Sequence, residues 1–541
     1  MLILRKIQGW QNRKRMERIT GEVRNITPGK VKILFGPSFS VYHALKIHDT
    51  LLTAALAAKG AQITYLSCPF GLGACNACGG ITQLANSRME LCAYCRRFAR
   101  NDSNLTEYLG KYAKILRTQD IVSRDEVQKL KKQTEEISDA DLENYAFEGL
   151  PFGRYSVDLV RNEGHVDNIK LVPDYRKQVR NSIFSNLIFY RYFDESIKRE
   201  KPDIIVSHDA FYAPWIVLMD LARRHHLPFY NYYPGMNHNS FFYVKDKIAT
   251  EFDMTSLFSK WKDRPIDTGE YKKLDKFFAD RKKFVIYDMK MQTQKNPKES
   301  GHYQKFLESK KPLAVLYTNV LWDLASLNRE IIFSSVQESY LETVRFFMKH
   351  PQYNLIIKPH PSDLFHTHES KEQAFDLISE TFPNLPENIL LLRPDTPLTS
   401  YELFDKSRVS IVHTTTVGIE SPIFGTPAIT LGRTHYRGQG FTNDPETAEE
   451  YFRMLEDILN GKNQRNPEKE KALATKYYYL LNYCYWYDFG IIKYNFKARS
   501  KAVVIPKSLK DLLANHDFSR LAEAIINRQD IPFFDSRLEK T

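Results

Sequence analysis

Short hydrophobic runs alternate along the chain with amphipathic stretches of helical length. The runs end at glycine, proline or polar residues, which is typical of buried strands in a parallel sheet. The amphipathic stretches between them suit crossover helices on the faces of such a sheet. The alternation occurs twice, from Val31 to about Tyr232 and from Leu313 to about Leu431. It predicts an α/β protein with two Rossmann-like domains.

The domain boundaries follow from the same pattern. We predict a basic N-terminal segment, a first Rossmann-like domain, a helical and lysine-rich linker, a second Rossmann-like domain and a C-terminal tail, at residues 1–30, 31–255, 256–310, 311–495 and 496–541. The charged stretch 104–148 predicts a helical insertion in the first domain. No G-x-G-x-x-G pattern follows the first strand, so a dinucleotide cofactor is not indicated.

The charge of the chain bears on where the protein is expected to be located in the cell. The 541 residues carry a net charge of +12, and the segment 1–30 is strongly basic. Such a segment suits either a solvated arm or contact with anionic lipid at the inner membrane surface. No apolar run is long enough to span a bilayer, and the first residues lack a secretory signal, so a cytoplasmic protein is expected. No recognition motif supports nucleic-acid binding.

Four cysteines predict a metal knuckle in the first domain, within residues 68–95. Their spacing is two C-x-x-C pairs separated by thirteen residues: Cys75, Cys78, Cys92 and Cys95. Paired C-x-x-C turns place four thiolates at the corners of a tetrahedron, which zinc favours. We therefore predict a structural zinc, with an iron–sulfur cluster and disulfides as the alternatives. Four sulfur ligands leave no open position for catalysis.

Two strand ends in the second domain carry polar groups that suit a phosphorylated ligand. The strand 354–357 ends in the turn Lys358-Pro-His360-Pro, and the strand 409–412 runs into three threonines and a helix start. Ligands of open α/β sheets bind at the carboxyl ends of strands, and a helix start supplies N–H groups to anions. The alternatives are a histidine held in a structural turn and an ordinary helix cap.

These motifs resemble those of bacterial capsule polysaccharide biosynthesis proteins, including the capsule Kdo-transferase type with a His-Pro motif. The resemblance covers about residues 312–445, and it includes the later Gly425-Thr-Pro427 and Leu431-to-Thr442 segments. It implies a glycosyltransferase of GT-B fold, in which the two Rossmann-like domains face a cleft. It also implies a nucleotide-sugar donor and a glycan or lipid-linked acceptor in surface polysaccharide synthesis.

The resemblance and the chemistry of the residues suggest roles for particular side chains. We expect the donor to be bound by Lys358, His360, Thr414, Thr415, Thr416, Glu420, Thr318 and Asn319. His360 is also expected to be catalytic, because it can donate a hydrogen bond to the donor's phosphate and, when protonated, neutralise its charge. Glu420 would bind the ribose hydroxyls, as a similar glutamate does in many GT-B enzymes. No convincing D-x-D motif stands at a strand end, so no catalytic metal is predicted.

A base that accepts the proton of the acceptor hydroxyl is expected in the first domain. Asp209 and His208 follow the strand 204–206 and are the main candidates, and a helix-capping role for the aspartate is the alternative. His48 and Asp49, with the neighbouring His43, are weaker candidates because they lie on a helix where they could face solvent.

Three other functions stay open at this point. A polymer transferase that moves an alditol phosphate from a CDP-activated donor and a sugar-nucleotide epimerase share the expected fold. The third is nucleic-acid binding by a basic protein with a structural zinc. It would account for the net charge and the cysteines, but it leaves two nucleotide-type domains unexplained.

Overall fold

The computed structural model describes most of the chain and divides it into two compact units. The described residues are 2–37, 43–68, 108–234, 240–282, 285–286, 289–290, 297–323, 325–364, 369–462, 466–490, 492–495 and 500–531. The first unit comprises Met1–Glu163, Val172–Phe252 and Tyr485–Thr541. The second comprises Gly164–Leu171 and Asp253–Cys484. The chain therefore leaves the first unit and returns to it after completing the second.

The helices and strands of the described residues alternate as the hydrophobic pattern predicts. Those before residue 253 are α1 (Leu2–Arg24), β1 (Lys32–Phe35), α2 (His43–Ala58), β2 (Gln62–Leu66), β3 (Lys114–Leu116), α3 (Thr118–Ile121), α4 (Arg124–Glu135), α5 (Phe152–Gly164), α6 (Tyr175–Glu200), β4 (Ile204–His208), α7 (Trp215–Arg224), β5 (Phe229–Pro234) and β6 (Ser240–Lys245).

The elements of residues 253–484 are α8 (Thr255–Trp261), α9 (Thr268–Arg281), β7 (Val285–Ile286), β8 (Met289–Lys290), α10 (Pro297–Glu308), β9 (Leu313–Tyr317), α11 (Val336–Lys349), β10 (Asn354–Lys358), α12 (Ala374–Thr381), β11 (Ile389–Leu391), α13 (Ser400–Phe404), β12 (Val409–Val412), α14 (Val417–Ile423), β13 (Ala428–Thr430), α15 (Ala448–Leu459) and α16 (Pro467–Tyr483). The remainder holds β14 (Tyr487–Asp488), β15 (Ile492–Asn495), β16 (Ser500–Val503), α17 (Leu509–Ala514) and α18 (His516–Ile526).

The sheet of the first unit has seven strands in the order β14-β6-β5-β4-β1-β2-β3. The strands from β5 to β3 pair in parallel, and β6 and β14 add an antiparallel edge. The chain order reverses between β1 and β4, so the carboxyl ends of these strands form the crevice where open α/β sheets bind ligands. Gly36 lies just after β1, and a Cβ there would overlap the Ser207 side chain.

The sheet of the second unit has five strands, all parallel, in the order β11-β10-β9-β12-β13. Strands β9, β10 and β12 are buried at every position, as expected for a sheet with helices on both faces. The order reverses between β9 and β12, which places the Lys358 and His413 ends of β10 and β12 on either side of β9. The α/β class predicted from the sequence is confirmed.

The structure divides the chain differently from the sequence prediction at several places, which include residues 164–171 in the second unit and 485–495 in the first. The segment 256–310 is assigned to the second unit, where α9 packs against α14 and α16 through Phe278. The segment 496–541 is assigned to the first unit, and α17 and α18 contribute buried residues to its core. The charged stretch 104–148 holds strand β3 as well as helices.

Helix α1 is anchored to the first unit by its second half. Met16, Ile19 and Val23 are buried in the core, and Arg15 donates a hydrogen bond to the carbonyl of Ile505 at 3.0 Å. Trp10 lies in the other half of the helix and is exposed. Among the described helices, none combines the length and hydrophobicity that crossing a lipid bilayer requires.

Candidate functional site

A pocket opens at the carboxyl ends of β9 and β10 in the second unit, beside the start of α14. It encloses about 780 Å³ of space when its open mouth is included. Its lining consists of Arg281, Tyr317, Thr318, Lys358, Pro359, His360, Pro361, Thr399, Ser400, Tyr401, Thr415, Thr416, Val417 and Glu420. Six of the eight residues that were expected to bind the donor line this pocket.

Lys358 is the last residue of β10, and its side chain is 8% exposed. Within the described part of the chain its ammonium has neither a hydrogen-bond nor an ion-pair partner. Burial lowers the pKa of Lys358 to about 8, although Glu402 acts in the opposite direction. A buried cation without a partner is costly unless a ligand compensates it. The position therefore suits an anionic group of a ligand.

His360 is an uncharged hydrogen-bond donor at neutral pH. Burial, together with the nearby charges of Lys358 and Arg281, lowers its pKa to about 4. Its Nδ1 accepts a hydrogen bond from the backbone N–H of Ser362 at 3.2 Å, which places the proton on Nε2. At neutral pH His360 can therefore act on a phosphate through a hydrogen bond and not through a positive charge, and its role at the donor stays a prediction.

The threonines fall into two groups. Thr415 and Thr416 line the pocket, and so does Thr318, whose buried hydroxyl has no hydrogen-bond partner among the described residues. Thr414 and Asn319 are instead bonded to each other, with Asn319 Nδ2 donating to Thr414 Oγ1 at 2.8 Å. That pair ties the end of β9 to the end of β12, so it supports the pocket and does not line it.

The start of α14 differs from the helix terminus expected from the sequence. The backbone N–H groups of Gly418 and Ile419 already donate to the carbonyls of Thr415 and Thr416. The helix is also short, covering Val417–Ile423, and contains Pro422. Side-chain hydroxyls and cations, more than helix N–H groups, are therefore the polar groups that this pocket offers to a ligand.

Glu420 is buried and already holds several partners. Its Oε2 accepts a hydrogen bond from the Tyr401 hydroxyl at 2.6 Å, and its Oε1 accepts one from the Tyr478 hydroxyl at 2.7 Å. Oε1 also lies 3.4 Å from the Thr416 hydroxyl and 3.3 Å from Nη1 of Arg281. Binding of two ribose hydroxyls would have to compete with these contacts, so the expected ribose role stays a prediction that the geometry does not favour.

Several pocket residues were not anticipated from the sequence. Arg281 ends α9 in a stretch that was interpreted as a linker, and no local motif distinguishes it from the neighbouring lysines. Thr399, Ser400 and Tyr401 form the start of α13, where Thr399 and Glu402 make a capping box. The S/T-x-x-E spacing of that capping box was the one sequence signal available for this side of the pocket.

Asp209 lies directly after β4 in the first unit, at the reversal point of that sheet. Its Oδ1 accepts hydrogen bonds from the N–H groups of Ala210 and Phe211, both at 2.8 Å. Burial raises the pKa of Asp209 to about 6, although these hydrogen bonds lower it. Asp209 and Ala210 have φ angles of 57° and 139°, a strained backbone of the kind that is often found at functional sites.

The imidazole of His208, beside Asp209, is buried and uncharged at neutral pH. Burial and the nearby His48 lower the pKa of His208 to about 3, and its ring stacks on Tyr233 with centroids 5.5 Å apart. His208 therefore remains uncharged, whereas Asp209 titrates closer to neutrality. Both catalytic assignments stay predictions, but the electrostatics favour the aspartate as a base.

His48 and Asp49 do not face solvent, as the sequence had suggested they could. Both are buried in α2, with His48 Nδ1 3.1 Å from Asp49 Oδ1. The other ring nitrogen of His48 bonds the Tyr243 hydroxyl, and Tyr232 donates to Asp49. The side chain of His43 lies outside the described residues.

The four cysteines of the predicted knuckle, Cys75, Cys78, Cys92 and Cys95, lie outside the described residues. The zinc prediction therefore stays a prediction. Among the described residues no group of three or more His, Cys, Asp or Glu side chains is arranged to hold a metal ion.

Solved structures with some likeness to the chain include sugar-transferring and sugar-isomerising enzymes. The KpsC β-Kdo 2,4-transferase of Thermosulfurimonas dismutans is 13% identical, with 59% of this chain and 88% of that chain covered and a TM-score of 0.33. The β-Kdo 2,7-transferase of the same protein is 13% identical, with 53% and 79% covered and a TM-score of 0.30.

A putative UDP-N-acetylglucosamine 2-epimerase of Listeria monocytogenes is 10% identical to the chain. The likeness covers 93% of this chain and 99% of the epimerase, with a TM-score of 0.27. The three scores are too low to support an argument about fold or function. A comparison with curated protein sequences finds no significant match.

The sequence pattern of one protein family matches a continuous part of the chain that contains the pocket motifs. The family is described as capsule polysaccharide biosynthesis protein, and the match covers residues 242–473. It extends beyond the predicted resemblance at both ends and includes α9, which carries Arg281. The predicted resemblance to the capsule polysaccharide biosynthesis proteins is therefore confirmed over residues 242–473.

Proposed function

We propose that the protein is a glycosyltransferase of the GT-B class that transfers a sugar from a nucleotide-activated donor to a growing surface polysaccharide or lipid-linked glycan. The observation that carries the proposal is the buried ammonium of Lys358, which faces a pocket at the strand ends of a parallel α/β sheet and lacks an anionic partner among the described residues. The family match over residues 242–473 supplies the polysaccharide context.

The pocket offers the groups that a phosphate leaving group needs. Lys358 supplies a positive charge, His360 supplies an N–H donor at Nε2, and Thr318 supplies a buried hydroxyl. Such groups accelerate transfer when they are already oriented towards charge that develops on the leaving phosphate. Because His360 is neutral, it donates a hydrogen bond without adding a positive charge.

Asp209 is our candidate for the base that accepts the proton of the acceptor hydroxyl. Its pKa of about 6 leaves the carboxylate ionised at neutral pH and still basic enough to take a proton in the transition state. Contact of α1 with anionic lipid would bring the protein to a lipid-linked acceptor. Cosedimentation with phosphatidylglycerol vesicles, compared with neutral vesicles, is the measurement for that contact.

A sugar-nucleotide epimerase is the enzyme alternative closest in fold class. It needs no acceptor and returns an isomer of its nucleotide sugar, whereas a transferase releases the nucleotide when an acceptor is present. The two are therefore separated by the products formed from one donor with and without a glycan acceptor. A polymer transferase of the alditol-phosphate type would instead release a nucleoside monophosphate from a CDP-activated alditol.

The test is a thermal-shift screen of the full chain against CMP, CDP, UDP, GDP and their sugars, repeated with His360→Ala. We expect one nucleotide class to stabilise the protein, because a ligand that binds only the folded state at 100 times its Kd adds about 2.7 kcal/mol. His360→Ala should reduce that stabilisation. The matched control is His350→Ala, which removes a histidine at the end of α11, outside the pocket lining.

The donor identified in this way is then assayed for transfer, with Asp209→Asn as a second variant. We expect Asp209→Asn to lower kcat by roughly 10²–10⁴-fold, the range typical of a general base, and to leave nucleotide affinity unchanged. If no nucleotide or nucleotide sugar stabilises the wild-type protein, the glycosyltransferase proposal is wrong.

A further inference from the structure

Arg281 reaches the pocket from a helix that lies outside the strand-end motifs. It is the last residue of α9, and this helix begins with a capping box in which Asp267 and Glu270 satisfy each other's backbone N–H groups. Capping fixes the start of a helix and therefore the position at which its far end lies. The same residue was part of a predicted linker, so nothing in its local sequence assigns it to a site.

An aromatic contact holds the end of α9 against the pocket wall. Phe278 stacks on Tyr478 with centroids 5.6 Å apart and planes 4° apart, and it meets Phe424 edge-on at 5.2 Å. The guanidinium carbon of Arg281 lies 4.9 Å from the centroid of the Phe277 ring. Stacking on an aromatic face orients a guanidinium while leaving its N–H groups directed outward.

Glu420 completes the orientation of this guanidinium. The carboxylate lies 3.3 Å from Nη1 of Arg281, and the two side chains are 3% and 15% exposed, respectively. The hydroxyls of Tyr401 and Tyr478 hold the carboxylate from two sides. A buried carboxylate held by several donors has a fixed position, so it fixes its ion-pair partner as well.

The partners of Glu420 account for its burial without a ligand, whereas the ammonium of Lys358 has no ion-pair partner among the described residues. Arg281 and Lys358 both line the pocket with His360, and the carboxylate of Glu420 pairs with Arg281. A guanidinium carries five N–H donors in a planar fork that fits two oxygens of a phosphate. The remaining positive charge favours an anion in this part of the pocket.

We propose that Arg281 binds a phosphate group of the nucleotide ligand together with Lys358, and that Glu420 is a positioning residue for Arg281, not a ribose ligand. This inference rests on the proposed function for the identity of the ligand. The inference is narrower than the proposed function, because it concerns only how the phosphate is bound.

The first experiment compares Arg281→Gln with Lys276→Gln by isothermal titration of the full chain. Lys276 lies on the same helix, is exposed and is not part of the pocket lining, so its substitution removes the same charge without touching the site. The ligands are inorganic pyrophosphate, the nucleotide that stabilises the wild-type protein and the corresponding nucleoside.

We expect Arg281→Gln to weaken pyrophosphate and nucleotide binding by about tenfold or more, the scale of a charge-assisted hydrogen bond, and to leave nucleoside binding unchanged. Lys276→Gln should bind all three ligands like the wild type. Equal nucleotide binding by Arg281→Gln and the wild type would overturn the inference, and so would an equal loss for nucleotide and nucleoside. Arg281-dependent pyrophosphate binding without any nucleotide binding would instead refute the proposed function and leave the phosphate role intact.

The second experiment tests the role of Glu420 with Glu420→Gln, alone and combined with Arg281→Gln. A positioning residue acts through Arg281, so Glu420→Gln should weaken nucleotide binding in the wild-type background and add no further loss in the Arg281→Gln background. The ratio of affinities for the ribonucleotide and its 2′,3′-dideoxy form should stay unchanged. Loss of that ratio, or additive effects of the two substitutions, would show that Glu420 binds the ribose itself.

Discussion

At the scale of single residues, the pocket depends on a lysine whose charge is easily lost. The pKa of Lys358 is lowered from 10.5 to about 8 by burial. The ammonium is therefore present below about pH 8 and absent above it. With respect to this residue, the unliganded protein gains stability as the pH rises from about 8 to 10.5, because the unfolded chain binds a proton that the folded chain does not. Affinity for an anion changes in the opposite direction.

We therefore predict that nucleotide affinity is constant near pH 7 and falls above about pH 8, approaching tenfold per pH unit. His360 does not contribute to this change, because its pKa lies near 4. In Lys358→Arg the cation stays charged, so affinity should vary little between pH 7 and pH 9.5. Titration calorimetry in buffers of equal ionic strength measures both profiles. An identical decline in the variant would assign the effect to another group.

Distinctive motifs at strand ends allowed several residues of the pocket to be named from the sequence. Lys358, His360 and Thr415 were all expected at the ligand site, and they line one pocket. The neutral charge state of His360 could not be predicted from the sequence, since its burial and cationic neighbours depend on tertiary structure. Arg281 was missed for a related reason: an arginine at the end of one helix resembles any other basic surface residue until the chain has folded.

At the scale of secondary structure, hydrophobic runs located most strands of both sheets. The strand at 409–412 was predicted with the boundaries that the structure shows, because it is buried at every position and bounded by polar residues. Helix α6 begins with two turns of mostly polar residues, which carry no periodic hydrophobic signal. The sequence of the C-terminal helices α17 and α18 carries no functional motif, because their role is to cover the core of the first unit.

The contribution of these helices to the free energy of unfolding can be measured at α18. Phe518 is fully buried, and its ring stacks on Phe489 with centroids 4.0 Å apart. We predict that Phe518→Ala lowers the unfolding free energy of the first unit by about 3–5 kcal/mol, the usual cost of emptying an aromatic site in a core. Urea denaturation followed by circular dichroism measures the change.

Glu523→Gln is the matched control on the same helix. It removes an ion pair with Lys59 whose glutamate side chain is 56% exposed, and such pairs contribute only about 0–1 kcal/mol. If Phe518→Ala costs no more than this control, α18 does not belong to the cooperative core of the first unit.

At the scale of the whole molecule, the sequence predicts a component that the described residues do not include. We expect the purified chain to contain one zinc ion, bound by Cys75, Cys78, Cys92 and Cys95, because the C-x-x-C pairs supply four thiolates in tetrahedral reach. Elemental analysis by mass spectrometry gives the zinc-to-protein ratio. Serine substitution of Cys75 and Cys78 should abolish it.

Cys484→Ala is the control for the zinc measurement, since Cys484 is buried at the end of α16 and far from the C-x-x-C pairs in sequence. This variant should keep the metal. Iron and acid-labile sulfide in place of zinc would establish the alternative cluster, and a metal-free protein with intact thiols would refute a metal site of either kind.

The return of the chain to the first unit after residue 484 constrains how the molecule forms during synthesis. Strand β14 pairs with β6, and α17 and α18 fill the core beneath α2, so the first unit stays incomplete until residues 487–526 have left the ribosome. The second unit is continuous from residue 253 to 484 apart from the short piece Gly164–Leu171. Its sheet can therefore form earlier in synthesis. Contacts of such long sequence separation close slowly, because the loop entropy must be lost before they stabilise the fold. The half of the protein that is translated first is thus the half whose fold is completed last, and until then the apolar surface of its sheet stays uncovered where residues 487–526 will pack.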